Sequence, residues 1–162
     1  MTALPKRFAR FGLTIHPQKT TLVAFGKPSA RAAERQGTGT VEFLGFTHYW
    51  ARSRQGYWVI KRRTAKKRLR RALTTLWQWC RSHRHCTVAE QHQELRQKLR
   101  GHYQYYGIRG NYRLLEVVLR HAERAWRYWL NRRSQKGTIT GNKIAWWQAH
   151  FPLPTPRIVH NI

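Results

Sequence analysis

Apolar residues recur at helical spacing through the middle of the chain. Between Thr64 and Cys80 they fall at Leu69, Ala72, Leu73, Leu76, Trp77 and Cys80, with Lys67, Arg70, Arg71 and Thr74 on the other side. A second helix is predicted after Thr87, an N-cap whose partner Glu90 completes a capping box. It carries Leu95, Leu99, Tyr103 and Tyr106 and ends near Gly107. A third helix is predicted from Tyr112 to Arg133, with Leu115, Val118, Leu119, Ala122, Trp126 and Trp129 on its core face. Arg113, Arg120, Arg124, Arg127 and Asn131 line up opposite. A fourth, shorter helix is predicted after Thr140, including Ile144, Trp146 and Trp147.

The front third has a different pattern. Leu4 to Leu13 reads as the end of a helix stopped at Gly12. Thr20–Phe25, Val41–Trp50 and Tyr57–Lys61 are short β-branched and aromatic runs that predict strands, and Arg54-Gln55-Gly56 suits a hairpin turn between the last two. Gly26 to Gly39 lacks periodicity and reads as a loop. Three prolines keep Phe151–Pro156 out of a helix and predict a polyproline II path over the surface. There is no internal repeat. The predicted class is α+β: a small sheet that is thin for independent stability, followed by an all-α part.

Charge changes this picture most. The chain has 162 residues, 32 Lys and Arg against 6 acidic residues, and a formal net charge of +26. With 41% apolar and 13% aromatic residues it can build a modest core, unlike a disordered basic tail. A free globular domain at that charge repels itself, so a polyanion is the expected partner. RNA, DNA, a ribosome-like assembly and an anionic membrane surface all qualify on charge alone. The run Arg62 to Arg71 holds Arg62, Arg63, Lys66, Lys67, Arg68, Arg70 and Arg71 with no acidic neighbour. A solvated face normally mixes both signs and gains support from i,i+4 pairs, which this run forgoes.

The acidic residues are Glu34, Glu42, Glu90, Glu94, Glu116 and Glu123, and there is no Asp. Two-metal phosphoryl transfer needs clustered carboxylates, so polymerase or nuclease chemistry is not expected of this chain, and no catalytic residue is assigned. The segment Cys80 to Cys86 places two Cys and two His within seven residues but lacks the distant second pair of a zinc knuckle, so no metal site is assigned. Two cysteines make no disulfide framework, no apolar run reaches the ~20 residues of a membrane span, and the N-terminus lacks a signal-peptide core. A cytosolic protein is expected.

Aromatic residues interleave with the charges. Trp77, Trp126 and Trp129 sit on apolar faces and are read as core. Tyr105 and Tyr128 lie off those faces and are candidates for base stacking. The turn Arg132-Arg133-Ser134-Gln135-Lys136 either clamps a backbone phosphate or is a basic helix C-terminus favoured by the helix dipole.

Several of these pieces resemble one family. Phe11-Gly12-Leu13-Thr14-Ile15-His16-Pro17-Gln18-Lys19-Thr20 resembles the Gly-Leu-x-Leu-x-Pro-x-Lys-Thr segment of bacterial group II intron reverse transcriptases. In that family it follows the catalytic Tyr-Ala-Asp-Asp box. Val41-Glu42-Phe43-Leu44-Gly45-Phe46 resembles the Phe-Leu-Gly-Phe strand that ends the family's palm. From Lys61 to about Ala149 the chain resembles the maturase-specific, or X, domain, which is also the polymerase thumb. Gly101-His102-Tyr103-Gln104-Tyr105-Tyr106-Gly107 and Arg132 to Lys136 stand in family-like order.

The resemblance implies a palm remnant over residues 1–60, a maturase/thumb domain over 61–150 and a Pro-rich tail over 151–162. It implies group II intron RNA as partner, a DNA target for the complete protein, Mg²⁺ only in the complete polymerase, and a bacterial cytoplasmic setting. The fingers and the catalytic Asp residues of the family have no counterpart here, so the chain reads as a truncated gene product, inactive as a polymerase by itself. Lys19 carries over as a palm residue with a structural role. The residues expected to contact RNA are Arg62, Arg63, Lys66, Lys67, Arg70, Arg71, Arg113, Arg120, Arg124, Arg127, Arg132, Arg133 and Lys136. The rival expectation is a basic RNA- or DNA-packaging protein with no link to introns.

Overall fold

The computed structural model describes residues 3–16, 18, 20, 23–28, 39–133, 146–147 and 149–161. Lys19, Lys136, Thr21, Leu22, most of the loop between Gly26 and Gly39, and the expected start of a fourth helix at Thr140 to Ile144 lie outside them. The fold is α+β. Helix α1 (Ala3–Ala9) is followed by strands β1 (Thr40–Phe43), β2 (Phe46–Arg52) and β3 (Trp58–Thr64), then by helices α2 (Lys66–Ser82), α3 (Val88–Tyr106) and α4 (Tyr112–Asn131). The sheet is an antiparallel meander in the order β1-β2-β3. Of the Thr20–Phe25 run, the described residues Thr20 and Val23 to Phe25 are in no strand.

The segment Val41–Trp50, expected as one strand, is instead a hairpin. Phe43 pairs with Phe46, leaving Leu44-Gly45 as a two-residue loop with φ of 48° and 79°. Positive φ at both positions is the primed turn that matches strand twist. Leucine is strained there by about 1–2 kcal/mol. Tertiary contacts hold it: Tyr105 Oη donates to the Leu44 carbonyl (2.8 Å), and Ala65 N–H donates to the Gly45 carbonyl (2.9 Å). A Cβ at position 45 would stand 3.1 Å from Tyr106 Oη, so glycine also permits the close approach of α3. Phe46 stacks on Tyr105 (5.8 Å between centroids) and meets Tyr106 edge-on (5.3 Å).

The three long helices α2, α3 and α4 form where the periodicity predicts. The Thr87 capping box is present, with Glu90 N–H on Thr87 Oγ1 and the Glu90 carboxylate on Thr87 N–H. The core lies among α2, α3 and α4 and consists of Leu76, Cys80, Leu95, Leu99, Tyr103, Leu115, Val118, Ala122, Ala125, Trp126 and Leu130. Trp77 and Trp129 pack against it half-buried. Cys80 is a core residue, 1% exposed, and that burial pushes its thiol up to about 12.

Two buried amides organise the joints. Asn111, 1% exposed, accepts from Thr64 N–H (3.0 Å) and donates to Thr64 Oγ1 and the Tyr106 carbonyl (2.8 Å each). It fastens the end of β3 to the α3–α4 turn. Gln91, 2% exposed, donates to the carbonyls of His83 (2.8 Å) and Cys86 (2.9 Å) and accepts from Trp126 Nε1 (2.7 Å). It ties the α2–α3 turn to α4.

The proline-rich tail does not merely run over the surface. Phe151 and Leu153 pack against the core, and His92 Nε2 bonds the Pro152 carbonyl (2.9 Å). Further on, Val159 and His160 N–H groups donate to the Gly107 carbonyl (2.7 and 2.9 Å), and Ile108 and His160 form a parallel bridge. A Cβ at position 107 would lie 2.8 Å from the Arg157 carbonyl oxygen, which reserves this crossing for glycine.

Asn111→Ala should lower unfolding free energy by about 2 kcal/mol, because it strands the Thr64 N–H inside the protein, while the Tyr106 carbonyl keeps the Ile108 N–H (2.8 Å). Arg113→Ala, an exposed change two residues away, should stay within about 0.5 kcal/mol. Urea denaturation of both variants checks this; equal midpoints would show that the Asn111 joint contributes nothing.

Candidate nucleic-acid interface

Among the described residues, many of the basic residues singled out from the sequence lie on two surfaces. The first begins on β3 and follows α2. Arg62 is half-buried, and Arg63 is exposed with its guanidinium over the Tyr49 ring (5.2 Å). Lys66, Lys67 and Arg68 make up the first turn of α2, whose N-cap Ala65 provides no side-chain hydrogen bond and whose first turn has no acid. The helix dipole is positive there and disfavours cations, so three in succession are an electrostatic cost that a bound anion would reverse. The described ion pairs are Lys98–Glu94 (3.8 Å) and Arg120–Glu116 (3.5 Å). None involves Lys66, Lys67, Arg68, Arg70 or Arg71.

Three grooves share these side chains. One, between the β1–β2 turn and α2, is lined by Phe43, Leu44, Lys67, Arg68 and Arg71; Glu42 also lines it but closes no ion pair. The next, of about 370 Å³ between α2 and α3, is lined by Arg68, Arg71, Lys98, His102 and Tyr106. The third, on the outer side of α2, holds Lys67, Arg70, Arg71, Thr74 and Gln78. Arg71 is common to all three, so the grooves form one continuous basic track. Lys98 and His102 are members that α2 periodicity could not reveal, because they come from α3. Arg68 is in the charged run, but only the fold shows it in two of the grooves.

The second surface belongs to α4. Arg120, Arg124 and Arg127 are exposed on one face, and with Glu123 they line a groove of about 510 Å³ closed by Trp126, Trp147, Phe151, Pro152 and Leu153. Arg113 is exposed at the start of α4 and lines neither this groove nor the α2 track. Burial raises the Glu123 carboxyl pKa, against the pull of Arg120.

Other expected contacts have structural partners. The Arg133 guanidinium donates to the Arg84 and Cys86 carbonyls, closing the α2–α3 turn onto the end of α4. Arg132 lies over the Tyr128 ring (4.9 Å), which also meets Trp77 (5.0 Å) and Trp129 (5.1 Å). Tyr105 stacks on Phe46 and anchors Leu44, with 52% of its surface still exposed. Among the described residues no group of His, Cys, Asp or Glu is placed to hold a metal ion, and no helix is long and apolar enough to cross a membrane.

Two predictions separate structural from ligand-facing charge. Arg70→Ala should flatten the plot of log RNA affinity against log salt by about 0.7 to 0.9, while stability stays within about 0.5 kcal/mol. Arg133→Ala should do the reverse, leaving the slope alone and costing about 1–2 kcal/mol, because the Arg84 carbonyl loses its donor while the Cys86 carbonyl keeps Gln91. Salt titrations beside thermal melts distinguish them; a flattened slope for Arg133→Ala would place it among the RNA contacts.

Acid should also destabilise the free protein. Burial holds His102 and His121 below the ordinary value of 6.5, so the unfolded chain takes up their protons more readily. Their contribution is intact above 6.5 and is lost as pH falls from there toward the folded values. Melts at pH 7.5 and 5.5 should show this drop, and His102→Gln with His121→Asn should shrink it; an unchanged drop would assign it to other groups.

Family models, curated proteins and solved structures show no match to this chain, so its functional reading rests on its own residues.

Proposed function

We propose that the chain binds structured RNA through the α2 track, in the manner of the thumb/maturase part of a group II intron reverse transcriptase, where it helps the intron RNA reach its splicing-competent fold. The observation that carries this is the first turn of α2. Three cations stand at the positive end of a helix with no acidic partner, on a track that continues through Arg70 and Arg71. Protein stability alone gains nothing from that arrangement, and a phosphate backbone neutralises it. The motif order described above is what directs the reading to intron RNA.

Mechanism follows from the chemistry of the track. Lys67, Arg68, Arg70 and Arg71 would each neutralise a phosphate and release a counterion, which supplies affinity without reading sequence. Discrimination would come from the shape of the RNA along the groove between the β1–β2 turn and α2. In a complete protein of this family the polymerase carboxylates and their Mg²⁺ belong to a palm whose Asp residues this sequence does not contain. The same reading places the protein in the bacterial cytoplasm and gives the complete enzyme a DNA target for intron mobility.

The test compares a group II intron RNA with an unrelated RNA of equal length at physiological salt. The intron should bind about tenfold tighter, an advantage of about 1.4 kcal/mol. Primer extension by the same preparation with Mg²⁺ should stay at background. Equal affinity for both RNAs would favour a packaging role, and template-dependent cDNA would overturn the assignment of a non-catalytic chain.

A further inference from the structure

The α4 groove differs from the α2 track in composition. It combines Arg120, Arg124 and Arg127 with a single acid, Glu123, and with the aromatic side chains of Trp147 and Phe151. Its volume of about 510 Å³ lies within the range of small-molecule pockets, ~300–1,000 Å³. Trp126 backs it at 2% exposure, and Trp147 packs on Trp126 at 4.0 Å between centroids. Phe151 N–H donates to the Trp147 carbonyl (2.8 Å), and Phe151 meets His92 at 5.5 Å, so the rings of the floor are held by neighbouring contacts. A site for phosphate alone would have no use for a carboxylate among three arginines or for aromatic walls. A site for a nucleotide uses all three.

We propose that this groove holds one unpaired guanine nucleotide of a bound RNA, its phosphate on the arginines, its base against Trp147 and Phe151, and its Watson–Crick edge on Glu123. The choice of base follows from hydrogen-bond chemistry. An ionised carboxylate is acceptor-only, with two oxygens that can take two parallel donors. Guanine alone among the RNA bases offers two adjacent N–H donors on that edge, from N1 and the exocyclic amine. Adenine and cytosine place a ring-nitrogen acceptor beside their amine, and uracil flanks its one N–H with carbonyls, all of which a carboxylate repels. The edge must be free, so the nucleotide is unpaired, as in the loops and bulges where single-stranded recognition operates. Burial of Glu123 beside the aromatic floor strengthens any hydrogen bond made there.

This inference rests on the RNA-binding reading, and the experiment keeps the two apart. Affinities are measured by fluorescence anisotropy for a short oligouridine, the same oligomer with a central guanine, and an RNA duplex. The guanine oligomer should bind about tenfold tighter than oligouridine, as a bidentate contact gives. Glu123→Gln should abolish that preference and leave duplex binding and the melting temperature unchanged. Phe151→Leu keeps an apolar side chain on the core but removes the ring, and should weaken both oligomers about five- to tenfold with duplex binding intact. Duplex binding with no guanine preference, or a preference that survives Glu123→Gln, would overturn the groove assignment while leaving the RNA reading in place. Failure of all three RNAs to bind would remove both.

Discussion

The rest of the structure depends on the buried side chain of Asn111. Three of its hydrogen bonds converge on two chain segments, Thr64 at the end of β3 and Tyr106 at the end of α3. A polar group buried this deeply is costly unless satisfied, and the Thr64 N–H would be costly without it, so the joint enforces one relative position. That position sets where α2 begins, since Ala65 follows Thr64 directly and bonds the Gly45 carbonyl. The basic track is thus aimed by an uncharged amide at one end of it.

Gln91 does a comparable job at the other end of the helices. Both its donor hydrogens serve the α2–α3 turn and its oxygen serves Trp126, the largest of the fully buried side chains. Arg133 closes the same turn from the end of α4. An arginine that sequence alone groups with the RNA contacts is therefore the donor for two loop carbonyls. The guanidinium suits that role because its fixed fork offers several donors and needs no carboxylate.

Charge then becomes a constraint on the whole surface. With 32 cations and 6 carboxylates, most cations have no acid to meet. The fold uses some otherwise, over Tyr49, Trp58 and Tyr128 or on carbonyls. Among the described residues, cations outside the ion pairs include Lys67, Arg68, Arg70 and Arg71 along α2 and Arg124 and Arg127 on the outer face of α4. A polyanion on these surfaces would relieve charge repulsion. They differ in what lies beside the charge: short grooves of mixed lining along α2, and an aromatic floor with one carboxylate on α4.

Helix period, capping and net charge were legible in the chain itself. The apolar stripe from Leu69 to Cys80, the Thr87–Glu90 box and the stripe from Leu115 to Trp129 each encode a local structure, because side chains at i, i+3 and i+4 meet whatever surrounds them. The second hairpin was legible too, through its glycine at 56. The first was not: Phe43-Leu44-Gly45-Phe46 reads as a strand by propensity, and only Tyr105, Tyr106 and Ala65, distant in sequence, hold leucine in a left-handed turn. Likewise nothing local distinguishes Arg133 from Arg127, or says that Lys98 and His102 join the α2 track, or that Phe151 walls a groove on α4. Those assignments depend on which buried amides and carbonyls need a partner once the helices have packed. That need arises only in the tertiary structure, where water no longer satisfies them.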